Sequence, residues 1–167
     1  MNSPEPAADR VPPGRLAGID YGTVRIGIAV TDPERRLASP LENYTRRGEA
    51  ADAAFFRRLA AEERIVRFIV GLPVHLDGRE SQKSTEARQF GQWLGEITGV
   101  AVEYFDERFT SVEAEQYLSA AKLTKKKRKA RLDKLAAQIL LTAYLDSPES
   151  AREPPRGLDD ESNRPPA

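Results

Sequence analysis

The chain has 167 residues, which sets an expectation of one domain around one core. Its 26 Lys and Arg balance 26 Asp and Glu, so no global field selects nucleic acid; with no cysteine, disulfides and thiol chemistry are excluded. No run reaches transmembrane length and the N-terminus lacks the apolar stretch of a secretory signal, so the expectation is a soluble, cytoplasmic protein with no membrane partner.

Residues 1–14 carry four prolines and few large apolar groups, and are expected to be a flexible arm. From Ser147 the chain runs "SPESAREPPRGLDDESNRPPA", proline-rich, charged and without period, so 147–167 is expected to be a disordered tail. The folded unit is then 15–146. Leu16 to Tyr21 reads as a strand, Gly22-Thr23 as a turn, and Val24, Ile26, Ile28 and Val30 as the inward set of a second strand. A short third strand is expected near Leu37 to Ser39. The turns are too short for crossovers, so these strands should be antiparallel.

The period then changes. "EADAAFFRRLAAEERI" reads as a helix with Phe55 and Leu59 on one face, and "IVRFIV" as an apolar strand with one charge. "GLPVHLDGRE" is a loop punctuated by Pro73 and Gly78. Ala87, Phe90, Leu94 and Ile97 line a second helix, and "VAVEYF" is the next strand. "TSVE" (Thr110 to Glu113) is a capping box opening a further helix. A last helix is expected over Ala130 to Leu145, with Leu132, Leu135, Ala136, Ile139, Leu140, Ala143 and Tyr144 as its apolar stripe. The sum is an α/β fold, a mixed five-stranded sheet flanked by helices.

Four acids stand at telling places. Asp20 ends an apolar strand beside Tyr21-Gly22-Thr23, where it could be a turn acid or a metal ligand. Asp106 and Glu107 stand where a strand passes into a loop, a common place for ligand-facing groups in α/β folds. Adjacent strand residues point to opposite faces, so at most one is a direct ligand, and the pleat leaves the choice open. Asp133 precedes Ala136 and Ala137 by three and four residues and Leu140 by seven, which turns it partly towards the sheet. It could equally be a first-turn acid favoured near a helix N-terminus. Carboxylates gathered together resist ionisation unless a cation neutralises them. Oxygen donors, no Cys and one His suit one or two Mg²⁺ (or Mn²⁺) ions rather than zinc. Such ions support phosphodiester hydrolysis without a protein nucleophile.

Four segments, "GIDYGTVRIGIAVTD", "FIVGLPVHLDG", "DERFTSVEA" and "LDKLAAQILL", together resemble the YqgF/RuvX family. The likeness runs over nearly all of 15–146. It implies a ribonuclease H-like fold and a role as a pre-16S rRNA nuclease or a Holliday junction resolvase. Carried over by motif, its acidic centre falls on Asp20, Glu107 and Asp133, as catalytic residues and metal ligands. The resemblance thereby selects Glu107 over Asp106. The chain departs from the family where His75 replaces a frequent Asn, so the shared chemistry does not depend on that histidine.

Around this centre, Tyr21, Gly22 and Thr23 are expected on its floor, and Gly71, Pro73, Asp77 and Gly78 in the loop that shapes it. Trp93 and Phe109 are expected to pack. Arg108 and the basic run Lys125, Lys126, Lys127, Arg128 and Lys129, read as a loop before the last helix, are expected to bind nucleic-acid backbone with marked salt sensitivity. The expected partner is structured RNA, the 5′ end of pre-16S rRNA, within a pre-ribosomal particle; branched DNA is the alternative. The protein is expected as a monomer or weak homodimer. Two other classes compete. "IDYGTVRIGIAV" also resembles the phosphate loop of actin-like and sugar-kinase ATPases, but those close two domains over a nucleotide. A non-catalytic ribosome-associated module would have no need of the acids.

Overall fold

A computed structural model of the protein describes residues 11–73, 81–106 and 125–147, and the backbone alone over 125–134. The chain forms β1 (Arg15–Asp20), β2 (Arg25–Thr31), β3 (Ala38–Thr45), α1 (Glu49–Glu62), β4 (Ile65–Leu72), α2 (Gln82–Thr98), β5 (Ala101–Asp106) and α3 (Lys125–Asp146). The strands make one sheet in the order β3-β2-β1-β4-β5. The four-residue connection between β1 and β2 permits only an antiparallel pair, with Ala17 opposite Val30 and Asp20 opposite Gly27. β3 continues antiparallel on β2. The helices α1 and α2 act as crossovers, so β4 runs parallel to β1, and β5 parallel to β4. The expected α/β class, a mixed five-stranded sheet flanked by helices, is the observed one. The carboxyl ends of β1, β3, β4 and β5 therefore share one edge of the sheet.

The two faces differ. On one, Ile19, Ile26, Ile28, Phe68 and Val70 pack against Phe56 and Leu59 of α1 and Phe90 and Leu94 of α2. On the other, Leu16, Ala29, Ile69 and Phe105 pack against Ala137, Leu140, Leu141 and Tyr144 of α3. The alternation of strand side chains sorts them: Ala17 and Ile19 face α1 and α2, while Leu16 and Gly18 face α3. The backbone of α3 passes very close to β1. A Cβ on Gly18 would lie 2.9 Å from the Ala137 carbonyl oxygen and 3.0 Å from Leu141 Cβ.

Several expectations shift. β3 spans eight residues rather than three. It is an edge strand with mostly exposed side chains and a register shift where Ile28 faces Glu42 and Ala29 faces Pro40. Edge strands tolerate proline and need no apolar run, so the pattern that reveals inner strands is missing here. In α1 the buried ring is Phe56, in step with Asp52, Ala53 and Leu59, while Phe55 is half-buried and stacks on Tyr44 at 3.9 Å. α3 begins at Lys125, so the basic run forms its first turns and is not a loop. Lys and Arg are good helix formers, and no Gly or Pro interrupts 125–146. Its buried stripe runs through Ala137, Ile139, Leu140, Leu141 and Tyr144, with Leu135 and Ala136 partly exposed. Just ahead of β1, Val11 packs against the α3 cluster, and Arg35 donates to the carbonyls of Gly14 (2.9 Å) and Pro12. The capping box at Thr110, together with Phe109, lies outside the described residues. No helix among the described residues is long and apolar enough to cross a membrane.

Candidate active site

Asp20 is the last residue of β1, on the central strand. The alternation that puts Leu16 and Gly18 towards α3 puts Asp20 there too. Its partner across the antiparallel ladder is Gly27. On the other side, one residue beyond the Ile19–Val70 pair, stands Gly71. Gly27 shares the face of Ala29, and Gly71 that of Ile69, so both lie on the α3 side. The carboxylate is thus flanked on both neighbouring strands by residues without side chains. Pro73 follows β4 at the same edge. Its carbonyl accepts from the Ser81 hydroxyl at 2.9 Å, which ties the start of α2 to that edge.

Asp106 ends β5 opposite Leu72. In β5, Tyr104 belongs to the α1/α2 cluster, whereas Phe105 belongs to the α3 cluster. Asp106 therefore shares the face of Tyr104, opposite to that of Asp20. Glu107, Arg108, His75, Asp77 and Gly78 lie outside the described residues. Position 133 is helical and stands one turn ahead of Ala137, the residue whose carbonyl meets Gly18. Its side chain, and those of Lys125 to Lys129, are likewise outside what is described. Among the described residues no three of His, Cys, Asp and Glu gather as a metal site.

In the β1–β2 turn, Gly22 has no room for a Cβ, which would run into the Arg25 carbonyl oxygen. Thr23 is exposed in that turn. Tyr21, expected on the floor beside Asp20, goes to the other side of the sheet. Its ring stacks on Phe90 at 4.9 Å, and its hydroxyl accepts from Arg46 Nη1 at 3.2 Å. Trp93 packs, as expected, against Phe56 and Phe90.

Two charged groups escaped the sequence reading. Asp52, in the first turn of α1, is completely buried. It accepts from the Tyr44 hydroxyl (2.8 Å), the Arg47 backbone N–H (2.9 Å) and Arg46 Nε (3.1 Å). Burial pushes its carboxyl up, but those donors and the Arg46 charge outweigh burial and hold it below the usual aspartate value. The same burial, with the bond to Asp52, pushes the Tyr44 phenol up. Nothing in the sequence distinguishes Asp52 from an ordinary first-turn acid. The second group is Glu103, buried in β5, which accepts from Arg67 (3.0 Å) and Tyr144 (2.5 Å). Here a signal existed: one cation and one anion stand inside adjacent apolar strands, and buried charges need partners.

A family model described as "RuvX: Holliday junction resolvase" matches residues 14–147. A protein of Rhodopirellula baltica named "Putative pre-16S rRNA nuclease" is 52% identical over 134 residues, covering 80% of this chain and 78% of its own. One of the same name from Koribacter versatilis is 38% identical over 142 residues, 85% of this chain and 93% of its own. Among solved structures, T. thermophilus RuvC in complex with a Holliday junction substrate aligns with 79% of this chain and 96% of that one, at 15% identity and a TM-score of 0.49.

Proposed function

This chain belongs to the RuvX family, and on that footing we propose that it is a Mg²⁺-dependent endonuclease that hydrolyses phosphodiester bonds at the 5′ end of pre-16S rRNA. The observation that carries the chemistry is the place of Asp20: the carboxyl end of the central strand, on the α3 side, with glycine on both flanks. The RNA substrate rests on the name borne by relatives that match about four-fifths or more of this chain. A cytoplasmic setting and a pre-ribosomal partner go with that substrate.

The proposed centre is Asp20, Glu107 and Asp133. The β5 alternation puts Asp106 on the α1/α2 side, away from Asp20, so the centre takes Glu107 and not Asp106, as the family resemblance has it. Asp133 stands one turn before Ala137 in α3. Their donor set fits a hard divalent cation: oxygen only, in a chain without cysteine, beside strands whose glycines leave room for waters and a phosphate. Bound there, one or two Mg²⁺ or Mn²⁺ ions would neutralise the carboxylates, acidify water and act as Lewis acid on the phosphate.

The three acids orient the attack. A water oxygen bonds to phosphorus as the bond to the 3′ oxygen breaks, leaving 3′-hydroxyl and 5′-phosphate ends. Arg108 and the helical run from Lys125 to Lys129 hold the backbone, and Gly71, Pro73, Asp77 and Gly78 shape the neighbouring loop. The proposed domain plan remains a folded unit over 15–146 between an arm and a tail.

Resolution of branched DNA is the second reading, favoured by the description of the family itself. One assay separates the two: pre-16S RNA and a four-way DNA junction, each given with Mg²⁺ to the native chain and to Asp20→Asn. Cleavage of the RNA, lost in the variant, is expected. Cleavage of the junction alone would transfer the assignment to DNA, and activity surviving in Asp20→Asn would remove Asp20 from the centre.

A further inference from the structure

A cavity of about 290 Å³ opens at the same edge of the sheet as Asp20 but on the α1/α2 side. Its wall begins with Tyr21, the residue next to Asp20, and continues through Phe90 and Trp93 of α2. Tyr21 stacks on Phe90, and Phe90 and Trp93 lie 5.5 Å apart at 40°. Arg46 lies over two of these rings, 5.7 Å from Tyr21 and 5.9 Å from Phe90. Glu49, Glu86 and Gln89 complete the lining. Glu49 and Gln89 are exposed and Trp93 half-buried, so this is an open mouth and not a packing void.

We propose that this cavity receives an unpaired nucleobase bearing an exocyclic amino group, adenine or cytosine, from the substrate strand within a nucleotide or two of the bond cut at Asp20. The inference rests on the nuclease reading given above. A phosphate does not suit the cavity: among the described residues two carboxylates line it, and the one cation there, Arg46, already pairs with the buried Asp52 at 3.1 Å. A purely apolar ligand would leave Glu86 and Gln89 without use. A flat base satisfies both halves. Its face stacks on aromatic rings and on a guanidinium plane, as single-stranded recognition does. Its amino edge donates to a Glu carboxylate or the Gln89 amide oxygen, the pairings by which those side chains read cytosine and adenine. The position follows from the fold. Asp20 and Tyr21 are consecutive and turn to opposite faces, so a strand crossing this edge offers its phosphate to one side and a splayed base to the other.

The chain has one tryptophan, and Trp93 lines the cavity. Its emission therefore reports on occupancy. Full-length Asp20→Asn would be titrated with a dye-labelled single-stranded RNA containing A and C, with anisotropy reporting binding and Trp93 emission reporting the cavity. Binding should change the emission. An abasic residue walked along the strand should cancel that change at one position and weaken binding there by roughly five- to a hundredfold. The exposed-side pair Glu86→Gln with Gln89→Ala should flatten the preference for A or C over U at that position.

An RNA that binds with unchanged emission and a flat abasic walk overturns the subsite and leaves the nuclease reading standing. Failure of every strand to bind overturns the subsite, and the nuclease reading is then decided by the cleavage of pre-16S RNA described above. If AMP alone gives the same change at concentrations where the strand's own bases give none, the cavity belongs to a free nucleotide and the strand-base assignment falls.

Discussion

The two faces of the sheet are built to different ends. The α1/α2 face is thick and aromatic: Phe56 alone meets the rings of Tyr44, Phe55, Phe90 and Trp93. The α3 face is thin. Glycine stands at three of its positions on the inner strands (Gly18, Gly27 and Gly71), and its helix comes close enough to β1 to touch a Cβ that is not there. One face holds most of the ring-on-ring packing. The other gives up side-chain volume beside Asp20 and keeps its helix near by backbone contact. The proposed charged centre would then stand where glycines thin the core, so that gathering carboxylates does not compete with packing.

The sharpest test exchanges the two roles. Phe56→Ala empties the middle of the aromatic face, where the ring is fully buried. It should cost about 3–5 kcal/mol in urea unfolding. Asp20→Asn on the other face should leave the unfolding midpoint unchanged or slightly raised, since it removes one member of a repelling set, while cleavage is lost. If Asp20→Asn destabilises the chain as much as Phe56→Ala, the division of labour is wrong.

Next in size is the join between the faces. Gly18→Val places atoms where Ala137 and Leu141 already stand. The helix must retreat, at a cost of about 1–3 kcal/mol. Because α3 also carries Asp133, cleavage should fall by more than the loss of folded protein explains. A variant that unfolds earlier but cuts normally, per folded molecule, would show that the closeness of α3 serves packing alone.

A smaller effect separates the faces by pH. Asp52 belongs to the aromatic face, and its folded carboxyl titrates below its unfolded value. Its stabilisation is therefore complete above the unfolded aspartate range near pH 4, and is lost as pH falls through the folded value. Urea unfolding followed from pH 6 to pH 2 should show a shallower acid loss in Asp52→Asn than in the native chain. An identical slope would mean that Asp52 is no better ionised folded than unfolded.

What the sequence disclosed follows the same division. Inner strands were legible because burial on both faces forces apolar runs, as in "IVRFIV". The edge strand β3 was not, because its exposed residues carry no pattern and its bulge absorbs Pro40. Asp20 was legible through its place at a strand end. The choice between Asp106 and Glu107 was not, because parity along a strand has meaning only once one residue's face is known; Phe105 against α3 puts Asp106 on the face opposite to Asp20. Tyr21 was misplaced for the same reason. Asp52 was hidden because its partners, Tyr44 and Arg46, come from the edge strand and the turn after it.

The least effect, and the most informative about substrate grip, concerns the basic run. Read as a loop, Lys125 to Lys129 would be five interchangeable cations. As the opening turns of α3, they are spread around a helix, and residues three or four apart share a side. Lys125 and Lys129 then form one pair and Lys126 stands about a third of a turn away. A strand held along one side should use some of these side chains and not others. Single changes to Ala, at each of the four lysines and at Arg128, should therefore divide into two sets. Those on the bound side should weaken RNA binding and reduce the slope of log affinity on log salt by about one each. Those on the far side should change neither. Equal, small losses at all five positions would mean that the run acts as diffuse charge, and that its helical form contributes nothing to the grip.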